Sequence, residues 1–478
     1  MTRAPDLAEF RAAIEGVACE DNPVLVKQKS RDFYWYSPIL KRQLEQVTGD
    51  LVVSPKNETE VVRVLAAAHR CGVAVTPRGA GTGNYGQAMP LSGGAVLNLA
   101  EMNAVRRIER GRVTAEPGAV LADIDKATRP GGQEIRMFPS TYQTATIGGF
   151  VAGGSGGVGS ITWGGLRDLG NVLRLRVLTM EASPRALELA GEDLQKAVHA
   201  YGTNGVIVEV EAPLTAAYDW VELIVGFDAL SQAGRFAMGL GDEDGILKKL
   251  LTVVASPAPH DYFLRHRPFL PREKSIVMAM IAGHSLDAFY AFLRRYRGAT
   301  ILYDSSRAGP NETKGLPPLY ELSWNHTTLR GLRVDPLITY LQVRYPANDP
   351  FATILKLHER LGDEAFAHVE IIRFNGVAGC AGLPMVRFST EARIDEIIAM
   401  HEDLGANVFN PHRYTLEEGG MKQTDAVQLA FKRQTDPDGL LNPGKMIAFD
   451  DPNFDYSAGK NYLFPGLEAR MQAAEAGT

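Results

Sequence analysis

Cysteine is nearly missing: Cys19, Cys71 and Cys380 are the only three among 478 residues, and they stand far apart. An odd, scattered set builds neither a disulfide framework nor a C-x-x-C metal site, so a reducing, cytoplasmic setting is expected. Runs of one charge are missing as well. Lysine and arginine together number 50 against 56 acidic residues, a net charge of −6 with no basic tail, which argues against nucleic acid as a partner. The first ten residues carry Arg3, Asp6 and Glu9 in place of a cationic start and an apolar run, so no secretory signal is expected. The longest uncharged stretch, Met137 to Leu166, spans thirty residues, but nine are glycine and several are serine or threonine. Such a composition does not make a membrane-spanning helix, and no membrane span is expected.

What the sequence has is glycine, 48 residues without a collagen period or low complexity, gathered into clusters. Around them the chain alternates strand and helix patterns. Asn57 caps a helix in which Glu60 stands three residues on, Val61, Val62, Leu65 and Ala68 share a face, and Gly72 ends it. Strands are predicted over Val73 to Thr76, Ala95 to Leu99, Val113 to Glu116, Val172 to Met180 and Val206 to Val210, with helices near Val120 to Thr128 and over Glu192 to Tyr201. From Tyr218 onward, strand and helix units continue without glycine clusters. A last helix, Asp425 to Lys432, leads to two turn signals, Asp436-Pro437-Asp438-Gly439 and Asn442-Pro443-Gly444-Lys445. The reading is an α+β protein of two lobes.

A literal G-x-G-x-x-G occurs twice, at Gly81, Gly83, Gly86 and at Gly154, Gly156, Gly159. A dinucleotide-binding Rossmann turn must open a helix, but Gln87 to Gly94, with Pro90 and a Gly-Gly pair, cannot form one. The cluster can instead turn several backbone N–H groups toward one anion, because glycine accepts positive φ and lets the chain approach a phosphate closely.

The run Val53-Ser54-Pro55-Lys56-Asn57-Glu58-Thr59-Glu60, followed by Thr76-Pro77-Arg78-Gly79-Ala80-Gly81-Thr82-Gly83-Asn84, resembles the vanillyl-alcohol oxidase type (PCMH-type) FAD-binding domain. Ala145-Thr146-Ile147-Gly148-Gly149 and Tyr201-Gly202-Thr203-Asn204-Gly205-Val206-Ile207 agree with it, and Asp436 to Lys445 is similar to the closing signature of the glycolate oxidase and D-lactate dehydrogenase branch. The resemblance implies a two-lobed FAD-binding domain with an α+β cap: residues 1–215 and 421–478 for the first, 216–420 for the second. It implies that Pro77 to Asn84 wrap the FAD pyrophosphate. Pro139, Ser140, Thr141, Thr144, Ala145, Thr146, Gly148 and Gly149 would run beside the flavin ring. Gly153, Gly154, Ser155 and Gly156 would lie near it, Gly205, Val206 and Ile207 on the cofactor's far side, and Asn442 close by. A neutral stretch suits a redox ring whose potential a fixed charge would shift. Family members with covalent flavin often carry a histidine in the first glycine loop. None stands between Arg78 and Met89, so non-covalent FAD is expected, with His326, His401 and His412 as the alternative points of attachment.

The chain departs from the hydroxy-acid branch where that branch holds a divalent metal: Cys380 and Arg387 stand in place of histidines, and Leu416-Glu417-Glu418-Gly419-Gly420 has none. A thiol and an arginine do not make such a site, and no metal is expected. Catalysis then falls to Asn410-Pro411-His412-Arg413-Tyr414 with Glu418, where the family's chain returns over the flavin. His412, Tyr414 and Glu418 are candidate acceptors of the substrate's proton. Arg413, or Arg344 on a face shared with Tyr340 and Gln342, is a candidate to hold an anionic group, although that face also reads as an ordinary exposed strand. The run Tyr320 to Thr328 suits a pocket wall.

The implied function is an FAD-dependent oxidoreductase, oxidase or dehydrogenase, that moves a hydride from an alcohol or 4-substituted phenolic carbon to flavin N5 and passes electrons to oxygen or another acceptor. Three alternatives stay open: a metal-free 2-hydroxy-acid dehydrogenase, a flavin-bearing electron-transfer subunit, and a non-redox enzyme resembling alkyl-dihydroxyacetonephosphate synthase. The last would need a phosphate pocket, for which Arg265-His266-Arg267 with Arg272 and Lys274 is the one compact basic cluster. Assembly into a homo-oligomer is left open.

Overall fold

The computed structural model describes residues 5–476. The N-terminal lobe begins with a small sheet in which Leu51–Ser54, Ala95–Asn98 and Val75–Arg78 lie side by side and parallel, with Ala18–Glu20 antiparallel at the edge. Two parallel strands need a crossover, and Glu58–Cys71 supplies it. Its start is a reciprocal cap: Asn57 Oδ1 accepts the Glu60 N–H at 3.0 Å, while Glu60 Oε2 accepts the Lys56 N–H at 2.8 Å. Val61, Val64, Leu65 and Ala68 of this helix pack on Val53, Val75 and Leu97 of the sheet.

A second, antiparallel sheet carries Val105–Glu109, Arg112–Ala115, Val206–Ala216, Arg174–Leu178 and Ala186–Ala190 in that order, with Gln133–Ile135 on the end of the long central strand. That strand joins two cores, since Val206 and Val208 pack with the first sheet, and Val210 and Leu214 with the larger cluster below. The helix expected over residues 192–201 stops early. Only Gly191–Lys196 is helical, as a 3-10 turn, because His199 and Tyr201 take φ of 56° and 53° and turn the chain toward the cavity. Conversely, Ile147–Gly153 forms a short helix inside the glycine-rich stretch, capped by Thr146.

The cap is built on an eight-stranded sheet with Thr300–Asp304 at one edge, Trp220–Phe227 next to it, and Asn407–Val408 at the other edge. Its central strands, such as Ser275–Ala282, are buried throughout, which is why they read as unbroken apolar runs rather than alternating ones. Helices Leu230–Asp242, Leu286–Leu293, Pro350–Leu361 and Glu391–Asp403 cover one face. The other face, with Leu250, Met278, Met280 and Ile372, packs on Phe138, Ile147 and Val158 of the first lobe. Among the described residues no helix is long and apolar enough to cross a membrane.

The chain then returns through Leu416–Gly420 and Ala426–Thr435 to the first lobe. Here the closing signature has a mechanical role: Val75 N–H donates to Leu440 O, and Asn442 N–H donates to Val75 O, both at 2.8 Å, so the signature pairs with the strand that leads into the first glycine cluster.

Candidate cofactor and substrate site

One large cavity lies between the lobes and contains about 1530 Å³ of empty space, its mouth included. Its floor is the first glycine cluster, Pro77 to Asn84, with Pro139 to Thr141, Ala145, Thr146, Gly148, Gly149 and Gly153 to Gly156, and with Gly205 and Ile207 at the far end. Three residues expected here stand elsewhere. Thr144 is exposed and turns its hydroxyl to Thr141 O. Val206 is wholly buried in the neighbouring core, because strand alternation sends it to the face opposite Ile207. Asn442 lies behind the loop, where its Nδ2 donates to Gln87 O at 2.9 Å and Tyr201 O at 2.6 Å.

The floor fits a flavin dinucleotide on its own chemistry. None of the N–H groups of Ala80 to Asn84 donates to a protein acceptor among the described residues, so five donors remain for a ligand. Gly81 has φ of +69°, and a Cβ there would lie 2.2 Å from the Arg78 guanidinium. A Cβ on Gly79 would lie 2.1 Å from Thr146 Oγ1, so the two glycine segments meet only because side chains are missing. Arg78 is buried, holds Arg31 O and Ala80 O, and keeps Nε without a partner beside the cavity. A cation with a cluster of free N–H groups is a pyrophosphate-binding set. Lys445, the last residue of the closing signature, donates to Gly86 O at 2.7 Å and holds the end of the loop.

The cap contributes Trp324, Asn325 and His326 and, from a separate segment, Gln342, whose Oε1 accepts from the Tyr85 hydroxyl. Tyr36 closes this end, with a buried hydroxyl that has no partner, as is also true of His326 Nδ1. Burial, with Arg330 and Arg333 nearby, pushes the His326 imidazole down to about 4, so it stays neutral at pH 7. Asp32, also on the wall, accepts the N–H of Tyr34 at 2.9 Å and of Ala88 at 3.2 Å, and burial pushes its carboxyl up to about 6. No motif marks Asp32 or Tyr36, because both come from an N-terminal segment that meets the cavity only in the folded chain.

None of His412, Arg413, Tyr414, Glu418 and Arg344 lines the cavity. His412 is fully buried one layer behind, its Nδ1 2.7 Å from the hydroxyl of Ser37, the neighbour of Tyr36. Burial and Arg413 push its imidazole down to about 3. Tyr414 accepts the Phe464 N–H at 3.1 Å, and Glu418 Oε1 accepts the Tyr462 N–H at 3.1 Å, so both fasten the C-terminal segment. Arg413 faces Glu391 at 3.6 Å. Arg344 is exposed over the Phe374 ring; the strand breaks between Tyr340 and Val343, so the alternation that would align it with Gln342 does not hold. Of the alternative flavin attachment points, His326 alone faces the cavity, for His401 is buried against Ile397 O. Cys380 is a buried thiol against Met238, Arg387 pairs with Asp335, and no group of three metal-ligating side chains occurs among the described residues.

Fold and site together define a two-lobed FAD-binding protein. Residues 49–184 match the family model described as FAD binding domain. The chain is 32% identical over 201 residues to the glycolate oxidase subunit GlcD of Escherichia coli K12, covering 40% of this chain and 39% of that one. It is 32% identical over 146 residues to the D-lactate dehydrogenase of Archaeoglobus fulgidus, covering 30% and 32%. The matched segments thus span between about a third and two fifths of these curated relatives. A solved alkyldihydroxyacetonephosphate synthase superposes with a TM-score of 0.71 over 92% of this chain and 85% of that one at 15% identity, a likeness of fold. Residues 49–184 are thus similar to an FAD-binding domain, and the cofactor is FAD.

Proposed function

We propose that the protein is an FAD-dependent oxidoreductase, with FAD held non-covalently, that removes a hydride from an alcohol or 4-substituted phenolic substrate and passes electrons to oxygen or another acceptor. The observation that carries this reading is the single cavity shared by the glycine floor and by Tyr36, Trp324, Asn325 and His326. FAD, when bound, supplies the hydride acceptor. Tyr36 and neutral His326, whose polar atoms lack protein partners, orient the substrate's oxygen, and the cap wall excludes water. Asp32, with its carboxyl near 6, is ionised at neutral pH and takes the substrate's proton. His412 supports this wall from behind through Ser37.

The non-redox reading finds little support. In the basic cluster, Arg267 donates to His260 O and Asp261 O, Arg272 pairs with Asp261 and Lys274 with Asp228, and none lines the cavity. The test is anaerobic bleaching of the FAD-loaded protein by primary alcohols, 4-alkylphenols and 2-hydroxy acids. Bleaching by one of the first two classes, abolished in Asp32→Asn and weakened in His326→Asn, is expected. Bleaching by hydroxy acids alone would overturn the substrate assignment, and bleaching by none would remove the oxidoreductase reading.

A further inference from the structure

Glu370 lies in the cap strand His368–Phe374 and is 1% exposed. Its Oε1 accepts the Trp324 N–H at 2.6 Å, and its Oε2 accepts the Thr252 hydroxyl at 2.6 Å. Trp324 has φ of 52° and ψ of −141°, a region that strains an L residue and persists only where its surroundings hold it. It is also the first of three consecutive residues that reach the cavity from the cap.

A second buried group completes the arrangement. His368 Nδ1 lies 3.1 Å from Leu383 O, which can only accept. Its Nε2 lies 2.8 Å from Glu370 Oε1 and 3.2 Å from Thr327 Oγ1, whose own hydrogen goes to Leu322 O at 2.6 Å. Every partner of the ring is therefore an acceptor. Ring and carboxyl are hydrogen-bonded to each other, and both are sealed from solvent. Thr327, on the helix Asn325–Leu332 that follows Trp324, ties the same ring to that helix.

We propose that Glu370 and His368 are positioning residues. As a buried, hydrogen-bonded pair they hold Trp324 at positive φ, so that Trp324, Asn325 and His326 form the substrate-facing wall. This rests on the reading of the cavity as a substrate site. The Glu370 side-chain oxygen supplies the acceptor that the strained N–H needs, and the imidazole keeps that oxygen aimed. Neither residue lines the cavity; they act through the turn.

The test uses the FAD-loaded full chain and four variants: Glu370→Gln, Trp324→Gly, their combination, and Thr252→Val, which removes a donor to the same carboxylate without touching Trp324. Glycine carries no strain at this φ. In urea unfolding, Glu370→Gln should raise the unfolding constant about tenfold or more in the parent chain and much less beside Trp324→Gly. Exchange of the Trp324 amide should quicken in Glu370→Gln, with the amides of strand Ser275–Ala282 unchanged. With whichever panel compound bleaches the flavin, Glu370→Gln should raise KM by about tenfold with FAD content preserved, while Thr252→Val stays near the parent. An equal stability cost in both backgrounds, or an unchanged Trp324 amide, would overturn the proposal; so would an unchanged KM. If no compound bleaches the flavin, the oxidoreductase reading fails, and the unfolding cycle and amide exchange still decide the clamp.

Discussion

Lys249 of the cap places its Nζ 2.7 Å from Glu134 Oε1 of the FAD-binding lobe, and both side chains are sealed from solvent. Lys249 also donates to Ile135 O at 3.1 Å and stands 5.1 Å above the Phe138 ring, while the same Glu134 oxygen accepts from Trp220 Nε1 at 2.8 Å. Phe138 in turn meets Tyr142 and Tyr320 near the cavity. The pair thus fixes the seam between the lobes beside the site.

Glu134→Gln removes the carboxyl in contact with the buried lysine, leaving only the more distant Asp125, and should cost about 3–5 kcal/mol in urea unfolding. Adding Lys249→Met should recover most of that loss, because the uncompensated charge is then gone. A double variant no more stable than Glu134→Gln would show that the pair does not act as a unit.

Acid should destabilise the fold through histidines buried in neutral form. Burial, with Arg330 nearby, pushes His266 down to about 4 from 6.5, and neither ring nitrogen has a partner. Between these values the unfolded chain binds a proton that the folded chain does not, so stability is full above pH 6.5 and falls as pH drops toward 4. The slope is about 1.4 kcal/mol per pH unit for each such group. His412 and His326 add to it in the same direction. His266→Phe should flatten the acid limb of stability by about one proton's worth, measured by urea unfolding across pH 4 to 6.5; an unchanged slope would refute the assignment.

Acid precipitation should send the visible flavin absorbance into the supernatant. Colour kept in the pellet would mean a covalent bond, and His326 is the histidine of the three named that faces the cavity.

Asn442→Ala should lower FAD retention although the residue does not line the cavity. It leaves the buried carbonyls of Gln87 and Tyr201 without their donor, at a cost of about 1–3 kcal/mol. The check is visible absorbance per protein after gel filtration, with Thr144→Ala, at an exposed position, as the control expected to match the parent.

Gly81→Val should abolish FAD binding more completely than Arg78→Ala. It strains the backbone at positive φ and also drives a side chain into the guanidinium, whereas the arginine variant keeps the loop's free N–H groups. Titration of the apoprotein with FAD decides the order.

Local chemistry was readable in the sequence wherever the backbone itself does the work. The cap at Asn57 and Glu60, the failure of Gln87 to Gly94 to form a helix, and the glycine floor all follow from neighbours in the chain, and the structure has each in place. Residues whose role depends on side chains from distant segments were not readable. His412 and Glu418 sit in a polar run that looks chemical, yet packing turns one toward Ser37 and the other toward Tyr462. Asp32 and Tyr36, more than a hundred residues from the second glycine stretch, carry no motif, and only the closing of the lobes brings them beside it. The sequence by itself determined the anion-binding floor, because glycine spacing sets where bare N–H groups can face a phosphate, and its resemblance to the FAD-binding family implied the cofactor. The tertiary structure alone decided which side chains meet the substrate, because that depends on which buried groups are left without partners once the cap has packed down.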